Sequence, residues 1–106
     1  LSWAYTMLGN YPLAGKWANK IVDRDPFYAH FLLGYNAEQQ GRLGIAIQNY
    51  LKALEINPES ASIMHNLANV YWAHDEKEES LAWRLKAARL GDPNSQAWLR
   101  SQLMDW

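Results

Sequence analysis

The chain has 106 residues, 49% of them apolar and 20% charged, with a formal charge of −1 and a pI near 6.3. That balance specifies a folded chain with a modest core rather than a disordered segment, and the missing basic field removes nucleic acid as a principal partner. Without cysteine there is neither a disulfide nor a thiolate metal site, cytoplasm and periplasm being equally compatible, and no apolar run approaches the roughly 20 residues of a membrane-spanning helix.

Taken from its start, the chain repeats itself. A ruler laid from Ser2 meets Gly9, Ala14, Ile21 and Pro26; laid from Gly34 it meets Gly41, Ala46, Ala53 and Pro58; laid from Ala68 it meets Asp75, Ser80, Ala87 and Asp92, with Pro93 next. Each copy reads as two antiparallel helices. The spacing predicts helices over 1–8, 11–24, 27–40, 43–56, 60–74, 76–90 and 94–105, and no strands. Gly9-Asn10, Gly41-Arg42 and His74-Asp75 fall at the tight turns within a copy. Asp25-Pro26, Asn57-Pro58 and Asp92-Pro93 fall between copies, each read as an N-cap followed by Pro at the first helical position. Small residues such as Gly34, Ala46 and Ala53 let paired axes approach closely. The division expected is a partial first copy over 1–26, a second over 27–58, a third over 59–92 and a capping helix over 93–106, all in one domain. The first copy enters its register mid-helix and lacks an initiator Met, which suggests a piece of a longer protein.

Leu33-Gly34, Gly41, Leu43, Ala46-Ile47, Tyr50, Ala53-Leu54 and Asn57-Pro58 resemble a nearly complete tetratricopeptide repeat, a motif of about 34 residues. The third copy keeps Leu67-Ala68, Tyr71 and Ala87, while its tail from Lys86 to Asp92 resembles the Sel1-like variant. The resemblance implies an all-α, right-handed superhelical solenoid of antiparallel helix pairs, with the first helix of each pair lining a concave groove. Ile21 departs from the small residue of the pattern, and Pro26 to Gly34 is a shorter interval than the family's, which implies a tighter junction.

Helix 43–56 carries a single apolar stripe of Leu43, Ala46, Ile47, Tyr50, Ala53 and Leu54, as a half-buried outer helix should. Helix 27–40 is apolar on two faces: His30, Leu33, Gly34 and Ala37 share one, and Tyr28, Phe31 and Tyr35 share roughly the opposite one with Glu38 and Gln39. Aromatics at such spacing serve a core or a binding wall, and aromatic-lined concavities commonly take peptides. The expected groove therefore holds Tyr28, Phe31, Tyr35, Glu38 and Gln39, with Phe31 as anchor. Along 60–74, His65, Asn66, Asn69 and Trp72 extend it, the two Asn amides being suited to a peptide main chain; Trp3 extends it at the start. Some relatives of this kind grip acidic chaperone tails with Lys, Asn and Arg. Here Phe31 and Tyr35 stand where that clamp needs Lys and Asn, which disfavours such a ligand.

No catalytic constellation is found. His30, His65 and His74 have no His partner at helical spacing, so no metal site is expected. There is no phosphate loop or nucleophile elbow, and the acidic run at 75–79 reads as a solvated helix start. The expected function is a protein-interaction scaffold, not an enzyme, binding a peptide segment or helix of a protein partner without a cofactor. A docking domain of a larger enzyme or transcription regulator is one alternative. Self-association through Leu1, Tyr5 and Leu8 of the incomplete first copy is the other.

Overall fold

A computed structural model describes residues 8–102 and 104. Among them are six helices and no strand: α1 (Tyr11–Lys20), α2 (Pro26–Gln39), α3 (Leu43–Ile56), α4 (Ala61–Ala73), α5 (Lys77–Arg89) and α6 (Pro93–Ser101). The fold is all-α, as the periodicity predicts. The helix predicted over 1–8 lies outside the described residues, except for Leu8, which stands in a turn and is 81% exposed.

The helices end as the turn residues dictate. At the close of α2, Gly41 takes φ +75°, and the Arg42 amide reaches back to the Ala37 carbonyl at 2.9 Å. The same closure recurs after α4, where the Glu76 amide bonds Tyr71 at 2.8 Å, and after α5, where the Asp92 amide bonds Ala87 at 3.0 Å. These wrap-around bonds satisfy carbonyls that a helix end otherwise leaves bare. After α4 the left-handed residue is not glycine but Asp75, at φ +60°, a conformation aspartate tolerates at some cost.

Two of the three expected Pro caps form. Asp25 accepts the Tyr28 amide at 3.1 Å and Asp92 accepts the Ser95 amide at 2.8 Å, each ahead of a Pro in the first turn. Asn57-Pro58 differs: Asn57 is the extended C-cap of α3, Pro58 lies in a turn, and α4 begins only after Ser60. α1 also stops at Lys20, short of the predicted 24. Residues 21–24 form turns, with the Asp25 amide bonded to the Ile21 carbonyl at 2.8 Å. The residue before a proline is pushed out of helical conformation, so Asp25 must leave the helix to cap α2.

Packing divides the chain into two compact units, 1–58 and 59–106. In the first, α2 pairs with α3 and also packs on α1; in the second, α4 pairs with α5, which in turn meets α6. The small residues of the ruler sit where the paired helices meet. Ala46 and Ala53 are fully buried, and in the second hairpin Ser80 donates its hydroxyl to the Ala68 carbonyl at 2.7 Å. A Cβ at Gly34 would stand 2.7 Å from Cδ1 and Cε1 of Tyr50, so only glycine admits that ring against the helix backbone.

Candidate functional site

Three faces of α2 have three different fates. Gly34 lies beneath the Tyr50 ring of α3. Asn36 turns to α1, donating to the Tyr11 carbonyl at 3.3 Å, and Ala29 and Leu32 are buried beside it at helical spacing. What is left is the aromatic side. Tyr28 is 45% exposed, and Phe31 and Tyr35 are half-buried. The rings form a ladder along the helix: Tyr28 to Phe31 is 6.3 Å between centroids and Phe31 to Tyr35 is 6.4 Å, with interplanar angles of 25° and 24°. The neighbouring helix is thus met by a face the sequence reading did not single out, and the three rings keep solvent contact.

Tyr50 holds the ladder from behind. It is fully buried, its ring lies 6.3 Å from Phe31, and its hydroxyl donates to Glu38 Oε1 at 2.6 Å. Burial first, then the Glu38 hydrogen bond and charge, hold the Tyr50 hydroxyl well above the ordinary tyrosine range. The sequence reading assigns Tyr50 to the outer-helix stripe; its side chain also couples that stripe to the aromatic face. Glu38, expected as a ligand contact, is half-buried and receives this hydroxyl, whereas Gln39 is exposed.

The second unit brings its expected residues together differently. Asn69 uses both ends of its amide: Oδ1 accepts Arg84 Nη2 at 2.7 Å, and Nδ2 donates to His65 Nε2 at 3.3 Å. That arrangement puts the His65 ring proton on Nδ1, which faces Asp92 Oδ2 at 3.7 Å. Asp92 is held in turn by the Ser95 amide and hydroxyl as it caps α6. Asn69 and His65 therefore bond within the unit, where the sequence reading puts both on the groove face and takes the Asn69 amide for a contact to a peptide main chain. Asn66 is half-buried. Trp72 is 45% exposed and meets Trp98 edge to face at 5.8 Å, with Lys77 Nζ 4.9 Å from its ring. Trp3 lies outside the described residues.

Arg84 is the residue that sequence reasoning missed. It is 4% exposed, its guanidinium lies 4.5 Å over the Trp98 ring, and burial lowers its proton affinity against the opposing pull of Asp92. Its Nε and the His65 Nδ1 are buried without a hydrogen-bond partner, so the cluster is only partly satisfied. The signal was available: Arg84 follows Ala68 at the same interval by which the buried Tyr50 follows Gly34. A charge at a position the repeat buries requires partners.

Among the described residues no group of His, Asp or Glu is placed to hold a metal ion, and no helix is long and apolar enough to cross a membrane. On α2 the side left in contact with solvent is the aromatic one, of Tyr28, Phe31 and Tyr35.

Residues 38–75 match a family model described as TPR repeat. No curated protein sequence matches the chain. Among solved structures, "MamA MSR-1 C2" is similar at 28% identity and a TM-score of 0.75, over 85% of this chain and 53% of that one. "MamA AMB-1 P212121" is similar at 27% identity and a TM-score of 0.75, over 93% and 56%. The chain thus spans a little over half the length of these structures. The family match, the paired helices and the structural likeness together make this an all-α fold of the tetratricopeptide-repeat kind.

Proposed function

We propose that the chain is a protein-interaction scaffold that holds a segment of a partner protein against the aromatic face of α2. The observation that carries this reading is the Tyr28–Phe31–Tyr35 ladder, stacked, partly wet and braced by Tyr50. Exposed aromatics on a rigid helix give large contact area at low entropic cost. Repeats of this kind serve as non-catalytic scaffolds in general, which supports the same reading. The reading includes the repeat division and the Sel1-like tail read from the sequence; on the second unit, taken by itself, the expected contact residues of α4 include Trp72, whose ring is the most open. In a longer protein the repeats would act as its docking domain.

The test is to select peptides from a random display library on the full chain and measure their affinity for it and for Phe31→Ala and Tyr28→Ala. Phe31→Ala is expected to weaken binding by about 1–2 kcal/mol, roughly five- to thirtyfold. Tyr28→Ala should weaken it less and leave the melting temperature nearly unchanged. Peptides that bind wild type and both variants alike would place the docking surface elsewhere.

Exposed Leu8 and Leu13, at 81% and 43%, favour a second reading, self-association through this end of the chain. A molar mass from light scattering that stays monomeric at high concentration would remove it.

A further inference from the structure

We infer that the cleft between α1 and the end of α2 is a site for a doubly charged oxyanion, namely a phosphoryl group. It lies within the first unit, and none of the rings of the aromatic ladder lines it, so it stands independently of the docking face. One wall is a single side of α1, running from Pro12 through Lys16 to Asn19; the other is Asn36 and Gln40 of α2 with Arg42 of the following turn. Its volume of about 510 Å³ has room for a phosphoryl group together with whatever carries it.

The charges lining the cleft are of one sign. Among the described residues Lys16 and Arg42 form no ion pair and lie over no ring, whereas Lys20, Lys77, Arg84 and Lys86 lie over tryptophans. The carboxylates of residues 1–58 are Asp23, Asp25, Glu38 and Glu55, and none lines the cleft. Asp25 caps the opposite end of α2, Glu55 is in the last turn of α3, and Glu38 bonds Tyr50 from the other side of α2. The backbone adds to the same sign. Helices α1 and α3 begin here, at Tyr11 and just after Arg42, each without a side-chain cap or an acidic residue in its first turn, so neither positive dipole end is compensated. The negative end of α2 is already bonded: the Asn36, Ala37, Glu38 and Gln39 carbonyls accept from the Gln40 side chain, the Arg42 and Gly41 amides and the Tyr11 hydroxyl. What remains to donate is an ammonium, a guanidinium and the exposed Asn19 amide, a set suited to phosphate oxygens. Two cations without a carboxylate match two negative charges. A phosphate monoester carries them above its second pKa of about 6, and a single carboxylate does not.

The test is a titration of the full chain at constant ionic strength, its backbone amides followed by NMR. The probes are inorganic phosphate and one short peptide in two forms, with phosphoserine or glutamate at its centre. Phosphate is expected to move the amides around Lys16, Asn19 and Arg42 to saturation, and to bind about tenfold more weakly when the pH is lowered far enough to leave it singly charged. Lys16→Gln and Arg42→Gln, both at exposed positions, should each weaken it by about three- to tenfold, while Lys52→Gln on α3 leaves it unchanged. The phosphoserine peptide separates the sources. Tighter binding than phosphate at the same amides identifies a modified protein segment, and equal or weaker binding identifies free phosphate or a small ester; either result supports the site. Glutamate peptide binding there as tightly as the phosphoserine form would overturn the doubly charged ligand. Shifts that never saturate, or that survive both substitutions, would reduce the cleft to unspecific screening of surface charge and overturn the site itself.

Discussion

Tyr50 follows Gly34 at the same distance along the chain as Arg84 follows Ala68, and both are buried, at 0% and 4% exposure. One repeat position thus holds a neutral ring in the first unit and a cation in the second. Position 34 lacks a Cβ, so the flat ring lies on the helix; position 68 has one, in the place that crowds such a ring at 2.7 Å. The first hairpin then gains a dry contact whose one polar atom is satisfied by Glu38. The second must surround a buried guanidinium, which takes up Asn69, Trp98 and the field of Asp92.

The largest expected difference between the two positions is in stability. Tyr50→Ala should cost about 3–5 kcal/mol in urea unfolding, the cost of emptying a buried aromatic site. Arg84→Met should change stability by less than about 1 kcal/mol, because relief of desolvation offsets the lost Asn69 bond. If Arg84→Met proves as damaging as Tyr50→Ala, the arginine network is a structural keystone and the contrast fails.

Next in size is the close approach at Gly34. Gly34→Leu should destabilise by about 1–3 kcal/mol through overpacking against Tyr50, and combining Gly34→Ala with Tyr50→Met should recover much of the sum of the single costs. Strict additivity in that cycle would show that the two residues do not compete for the same space.

The Tyr50 hydroxyl also makes the first unit sensitive to alkali. In the unfolded chain it ionises near its ordinary value of 10.0, while in the folded chain burial and Glu38 hold the proton well above that. The unfolded state therefore binds fewer protons above pH 10, and stability, fully present below it, should fall by about 1.4 kcal/mol per pH unit. Tyr71, raised by burial and by Glu79 and Glu76, acts in the same direction from a half-buried site. Unfolding curves at stepped pH should show the slope reduced in Tyr50→Phe; an unchanged slope would assign the effect to other groups.

The smallest effect concerns the turns. Asp75 takes the left-handed conformation that Gly41 takes in the first unit, so Asp75→Gly should raise stability by about 0.5–1 kcal/mol in a thermal melt. Gly41→Asp should lose a similar amount, and a loss on Asp75→Gly would reveal a role for the carboxylate.

Most of the architecture was legible before any coordinates. Helix pairs, their turns at Gly41 and Asp75, and the caps at Asp25 and Asp92 follow from residue types at short spacing, and such local preferences act without a partner. The candidate site was legible only in part. Tyr28, Phe31 and Tyr35 share a face by periodicity alone, but whether that face was covered depended on Ala29, Leu32 and Asn36 taking the burial instead. Glu38 and Asn69 look like free polar groups in one dimension and are bonded to Tyr50 and Arg84 in three. The early end of α1 and the passage through Asn57-Pro58 were set by where the following helix had to begin. Periodicity determines which side chains stand together on a helix, because that is geometry within one element. Which of those sides stays wet was decided by tertiary packing, because burial belongs to the partner that arrives as much as to the residue that waits.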